Sequence, residues 1–318
     1  MEARIEHGMR PSEAMDNGDS DKDGNDQVES STRSNRHPSD PSDAATLRSA
    51  SIVWFRNDLR VHDNECLNSA NNESMSVLPV YCFDPRDYGK SSSGFDKTGP
   101  FRATFLLESV ADLRKTLQAK GSDLVVRIGK PEIVLVELAQ AVGAEAVYAH
   151  REVSHDEVKA EDNIEAVLKE EGVEVKYFWG STLYHIDDLP FKLTEMPTNY
   201  GGFKEKVQGL EVRKTIEALD QVKGLPAKGD VEPGEIPSLV DLGLNCKLTS
   251  WQNGKPAASA SLVGGETEAL QRLGRFATES HWRECLSNNC SRLSKCDNYT
   301  PVGPREVSKM LSKVLHWK

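Results

Sequence analysis

Arg56, Asn57, Asp58 and Arg60 crowd into one turn of this sequence, directly after the apolar run Ile52-Val53-Trp54-Phe55. A run without in/out alternation is what a strand covered on both faces looks like, and open α/β sheets bind ligands in the crevice beyond the carboxyl ends of such strands. The two arginines could hold a ligand phosphate or a ligand carboxylate, or could themselves be held by neighbouring aspartates as a loop brace. The residues alone leave all three readings open. A second candidate is Glu108 in FRATFLLESVADLR, which helical spacing sets near Phe101, Thr104, Phe105 and Asp112. Its carboxylate could accept donors from a polar heterocycle, or could pair with Arg102, Arg114 or Lys115.

Other reactive constellations are weak. No GxGxxG follows the first strand, so the close approach of backbone to a pyrophosphate is not provided for, and GxxxxGK[ST] is absent. Gly129-Lys130-Pro131 could offer backbone donors to an anion, although a plain strand-to-helix turn accounts for it. His281, Cys285, Cys290 and Cys296 are spaced by four, five and six positions and lack the CxxC knuckle that makes a zinc signal specific, so no metal site is expected. There is no GxSxG nucleophile elbow. HREVSHDE at 150–157 carries two histidines and several acids near one strand end, and loop bracing with helix capping suffices to explain them.

Five strand–helix alternations must position these side chains. The patterns predict strands at 51–55, 76–83, 123–128, 144–149 and 173–179, with Pro79 a demerit in the second because it cannot donate to a ladder. Helices are predicted at 63–70, 100–120, 132–142 and from 155 to about 170, the last opened by a Ser154/Glu157 capping box. This alternation predicts one parallel sheet with helices on both faces, a Rossmann-like three-layer α/β/α sandwich followed by a partly irregular helical tail. A helix is expected within 200–219, linkers at 223–237 and 248–263, and renewed helical periodicity at 265–277 and 304–316. The expected division is an acidic disordered leader over 1–49, the α/β domain over 50–195, helix and linker over 196–263, and a divergent tail over 264–318.

Composition narrows the partners. The net charge of −11, from 50 acidic and 39 basic residues, gives no broad electrostatic hold on nucleic acid, so DNA binding is not expected of this chain alone. No apolar run reaches the length of a membrane span, and no secretory h-region is present. Six unevenly placed cysteines fit a reducing compartment, which leaves nucleus, cytosol and plastid open.

The blocks WFRNDLRVHDN (54–64), VLPVYCFDPRDYG (77–89), KTGPFRATFLLESVADLR (97–114), GSDLVVRIGKPEIVLVELAQ (121–140), YAHREVSHDE (148–157), FWGSTLYHIDDLPF (178–191) and GGETEALQRL (264–273) resemble, in order, the amino-terminal domain of the cryptochrome/DNA photolyase family. Their flavour is that of DASH-type cryptochromes and plant photolyase-like proteins. The resemblance implies a deoxyribodipyrimidine photolyase or a blue-light photoreceptor, with FAD held by a carboxyl-terminal helical domain. It also implies an antenna, methenyltetrahydrofolate in DASH-type members, with Glu108 on the pterin and with Arg56, Asn57 and Arg60 on the antenna or interdomain side. Beyond 273 the sequence does not continue as that family does, and no residue is assigned a catalytic role. The expected function is therefore an antenna-type α/β domain with pterin binding or a light-related regulatory role, without autonomous repair. An FAD-dependent photolyase, or a non-catalytic product that binds a protein partner through its interdomain face, are the alternatives.

Overall fold

The computed structural model describes residues 47–244, the backbone of 251–252 and 255–256, and residues 263–275. Residues 1–46 of the expected leader (1–49), part of the second linker, the cysteine-bearing tail and the 304–316 segment lie outside the described residues.

Five strands, β1 (Arg48–Phe55), β2 (Ser74–Phe83), β3 (Val125–Ile128), β4 (Ala146–His150) and β5 (Glu174–Phe178), form one sheet in the order β3-β2-β1-β4-β5, with every pairing parallel. The order reverses between β1 and β4, the strands whose carboxyl ends carry the polar turn and the HREVSHDE segment. The helices are α1 (Glu65–Glu73), α2 (Pro100–Ala119), α3 (Pro131–Val142), α4 (His155–Glu170), α5 (Tyr200–Lys206) and α6 (266–275).

Strand periodicity divides the core in two. Val53 and Phe55 of β1 join Tyr81, Phe83 and Tyr148 under Leu67 of α1 and Val110, Leu113 and Leu117 of α2. Ile52 and Trp54 point the other way, with Leu78, Val80, Val147 and Ala149, under Leu135 and Leu138 of α3 and Ile164 and Leu168 of α4. Burying each such side chain contributes about 1.5–3 kcal/mol, which is why the central strands read as unbroken apolar runs rather than alternating ones.

Local signals explain the boundaries. Asn64 caps α1 by accepting from Leu67 N–H at 2.9 Å. Ser154 caps α4 differently from the predicted box, because its hydroxyl donates to the Glu157 carboxylate at 2.6 Å instead of accepting a backbone N–H. β1 begins at Arg48, inside the stretch read as leader. The Arg48 guanidinium there donates to Glu73 and Glu174, and Glu73 also accepts from Tyr148 Oη and Lys176 Nζ. These contacts hold the Glu73 carboxyl down at about 2, against the upward push of its partial burial.

Pro79 sits inside β2 without breaking it. β3 pairs only with Val80–Phe83, and Val77, which faces the same side as Pro79, donates to Gly224 O at 3.2 Å. The proline therefore lies on a stretch where no strand neighbours β2 on that side.

The helix expected within 200–219 is only the seven-residue α5. Gly201 and Gly202 weaken its propensity, and residues beyond it are used in extended contacts such as the reciprocal pairing of Asp63 N–H with Ile216 O at 2.9 Å and Ile216 N–H with the Asp63 carboxylate at 3.1 Å. The residues read as linker run along the sheet domain. Val222 N–H meets Lys120 O at 2.9 Å, and Val126 N–H, on the free side of β3, meets Pro233 O at 2.7 Å. Val222, Leu242 and Leu244 are buried in the α1/α2 side of the core.

Arg114 fastens this strap. From α2 its guanidinium donates to Leu124 O (2.7 and 3.1 Å), Pro233 O (3.0 Å) and Gly234 O (2.8 Å). Arg114→Met keeps the apolar stem but withdraws the guanidinium donors from those carbonyls, leaving Pro233 O with Val126 N–H, so it should lower stability by about 2–3 kcal/mol and speed proteolytic cutting around 228–236. Urea denaturation with limited proteolysis checks this, and an unchanged midpoint would remove the strap's energetic role.

Candidate functional site

The turn after β1 and the segment after β4 face each other at the sheet's switch point, where crevices form in open α/β folds. Three side-chain pairs join them. Asp58 Oδ2 lies 2.6 Å from His150 Nδ1, Asn57 Nδ2 donates to Glu152 at 2.6 Å, and Arg56 pairs with Glu161 of α4. Asp58, His150, Glu152 and Glu161 are all buried.

Asp58 is the hub. Its other oxygen accepts Arg56 N–H at 2.8 Å and so closes the turn. Burial pushes its carboxyl upward, but the charge and hydrogen bond of His150, with Arg60 and the Arg56 N–H, outweigh that and hold it well below the usual carboxylate range. Glu152 goes the other way. Its burial raises the carboxyl more than the Asn57 hydrogen bond lowers it, with Glu157 and Asp58 adding repulsion.

Next to this lattice lies a cleft of about 360 Å³. Its floor is the turn residues Asn57, Leu59 and Arg60 with Tyr81 and Cys82 at the end of β2, and its walls include Tyr88, Lys97 and Arg102, Phe105, Leu106 and Ser109 of α2, and Gly265 and Glu266. That volume falls within the range typical of small-molecule sites. Burial first and Asp84 second push the Cys82 thiol up to about 12, so it is an inert lining group and no nucleophile.

The residues singled out in the sequence separate here. Asn57 and Arg60 line the cleft. Arg60 is buried and donates one terminal nitrogen to Asp63 O at 3.0 Å, while its Nε finds no hydrogen-bond partner among the described residues. Arg56 lies with its guanidinium carbon 4.6 Å from the centroid of the Trp54 ring and is paired with Glu161, which makes it a brace. Glu108 directs one oxygen at Gly264 N–H, 2.7 Å away, and none of Arg102, Arg114 and Lys115 forms a hydrogen bond or ion pair with it. Gly129-Lys130-Pro131 opens α3 as a turn, with Pro131 at its first position.

In sequence His150 and Glu152 read as loop bracing, and nothing local marks Glu161 or Glu266. The spacing of two acids and a histidine after β4 was visible, but their partners lie about a hundred positions upstream and only the sheet order brings them together.

The sequence matches the DNA photolyase family over residues 51–221, more than half of the chain. The chain belongs to the DNA photolyase/cryptochrome family. It is 72% identical over 253 residues to the "Blue-light photoreceptor PHR2" of Arabidopsis thaliana, covering 80% of this chain and 56% of that protein. It is 45% identical over 236 residues to "Cryptochrome DASH" of Gloeobacter violaceus, covering 74% and 45% respectively. In fold it is similar to the Synechocystis sp. PCC6803 cryptochrome, with a TM-score of 0.67 at 30% identity over 85% of this chain and 55% of the other. The chain thus spans about half the length of the curated relatives it matches.

Family membership raises the question whether these residues suit a folate-type antenna. The cleft combines aromatic walls in Tyr88 and Phe105 with a buried guanidinium that retains an unused donor, and with the acceptors of Asp84 and Asp87 at one edge. A flat heterocycle with both donors and acceptors fits such a lining. Glu108, which the family resemblance puts on the pterin, already gives one oxygen to the chain's own backbone. The residues expected to hold FAD belong to a helical domain for which the described residues supply no counterpart.

The buried Asp58–His150 pair makes the site acid-sensitive. Because the folded-state pKa of Asp58 lies below its ordinary value of about 3.9, its contribution is present above that value and is lost as pH falls through it toward the depressed folded value. Asp58→Asn should cost about 3–5 kcal/mol at neutral pH and flatten the acid limb of the stability curve. Urea midpoints between pH 7 and pH 2.5 read both effects, and parallel curves for the two proteins would refute the assignment.

Proposed function

We propose that the cleft beside the β1/β4 switch point binds a flat, hydrogen-bonding heterocycle of the antenna type, with a folate pterin first, and that the chain acts in blue-light perception. The observation that carries this reading is Arg60, a buried cation lining an aromatic-walled cleft with its Nε unpaired among the described residues. Leaving such a donor unsatisfied costs about 1–3 kcal/mol, which a ligand acceptor would recover once the guanidinium turns its buried Nε toward the cleft. The relatives named a blue-light photoreceptor and cryptochromes support the light-related role. A bound pterin would supply near-ultraviolet absorption, while Tyr88 and Phe105 would orient its ring and Arg60 and Asn57 its polar edge. A protein partner at the exposed interdomain face would receive the signal.

The test is reconstitution of the purified chain with methenyltetrahydrofolate in the dark. A near-ultraviolet band should co-elute with the protein in stoichiometric amount, and Arg60→Leu and Phe105→Ala should each weaken binding about tenfold or more. Protein that emerges free of folate at saturating concentration would defeat the reading.

The second reading, favoured by family membership over 51–221, is a light-driven DNA photolyase using FAD. It requires flavin released on denaturation and loss of pyrimidine dimers under blue light. Folate binding without either outcome separates the two.

A further inference from the structure

One wall of the cleft comes from far away in sequence. Gly265 and Glu266 precede or open α6, yet they line the cleft with the β1–α1 turn and α2. Glu266 is buried and its carboxylate gathers three donors, Val61 N–H at 2.9 Å, His62 N–H at 3.1 Å and His62 Nδ1 at 2.9 Å. Two acids of α2 complete the attachment from the other side. Glu108 accepts Gly264 N–H at 2.7 Å, and Asp112 accepts Thr267 N–H at 2.9 Å.

The two glycines make the approach possible. A Cβ on Gly264 would lie 2.1 Å from Phe105 O and 2.7 Å from Ser109 Oγ. Gly265 has φ +111, and a Cβ there would meet Asp112 Cβ at 2.6 Å. Backbone pressed this closely onto α2 admits no side chain, so the next residue, Glu266, is the first that can reach into the turn.

We infer that residues 264–275 form a latch that closes the cleft, with Glu266 as the positioning residue that seats it. The β1–α1 turn carries Arg60, and Glu266 holds the backbone of the two residues that follow it. Seating the latch therefore sets both a wall of the cleft and the loop from which its buried cation projects. The hydrogen bonds to the β1–α1 turn and to α2 gather at the first turn of α6, with Leu273 the buried apolar side chain further along it, and an attachment built so largely on polar contacts at one end opens locally at lower cost than a packed core element. As control of ligand access this rests on the cleft being the ligand site, whereas the closure itself does not.

Closure can be read without any ligand. Ser109 is buried beneath Gly264 and lines the cleft, so Ser109→Cys places a thiol that reagent reaches only when the latch lifts. Native Cys66, buried against β1, is the internal control for global opening. In the Ser109→Cys background, Glu266→Gln should raise alkylation at position 109 about tenfold, read by peptide mass spectrometry, with Cys66 unchanged. Gly265→Ala should act in the same direction. Equal rates with and without Glu266→Gln would overturn the inference, as would equal acceleration at Cys66.

A second arm adds methenyltetrahydrofolate. Slower labelling at position 109 with folate bound supports control of access, and bound folate with unchanged labelling overturns it. Absence of folate binding would count against the proposed function alone, leaving the ligand-free arm to judge the latch.

Discussion

A buried carboxylate bonded to a buried imidazole, Asp58 to His150, spans the point where the strand order turns back on itself. Parallel neighbours β1 and β4 diverge in their connections there, one leading to α1 and the other to α4, and nothing in a backbone ladder holds the two exits together. The side chains must do it. Burying the Asp58 carboxylate without a partner would be prohibitive, so the pair stands or falls together, and its geometry fixes the turn from which Asn57, Leu59 and Arg60 face the cleft. The Asn57–Glu152 and Arg56–Glu161 contacts extend the same lattice toward α4.

The sheet was legible because its residues are governed by local periodicity. Ile52 to Phe55, Val80 to Phe83 and Ala146 to Ala149 are apolar on both faces, and Gly143, Ser154 and Gly172 punctuate the intervening helices. The irregular strap resisted reading for the opposite reason. Residues 220–236 owe their path to carbonyls and N–H groups on β2, β3 and α2, and neither Gly224 nor Pro233 announces in sequence that a strand will bond to it. Where a segment is held by backbone contacts across long separations, composition shows only that it is not a helix.

The candidate site divides along the same line. Arg56, Asn57 and Arg60 could be singled out from one turn, but their different roles depend on distant acids. Glu161, more than a hundred positions away, takes Arg56 out of contention as a ligand group, while the Arg60 side chain has, among the described residues, only a backbone oxygen as hydrogen-bond partner and keeps a donor. Glu108 shows the converse. A family resemblance puts it on the pterin, yet its visible work is to hold Gly264, in concert with Asp112 on Thr267. A polar side chain one turn from a cleft serves either the wall or the occupant, and only the identity of its partner decides which.

The charge around the cleft bears on what could occupy it. Arg60, Lys97 and Arg102 face Asp84, Asp87, Glu157 and Glu266, so acids match or exceed bases, in a chain that is itself strongly acidic. Several of these charges are already committed. Asp84 accepts from Arg86, Lys97 donates to Arg86 O, and Glu266 is filled by the β1–α1 turn. A phosphate would find one buried guanidinium and a ring of repelling carboxylates, without the glycine-rich backbone that usually compensates. A ring system carrying both donors and acceptors meets none of that repulsion: it can donate a hydrogen bond to an aspartate, accept one from Arg60 and stack on Tyr88 or Phe105. Of the readings left open by the arginine-bearing turn, the brace takes Arg56, while Arg60 lines the cleft with a donor unpaired among the described residues.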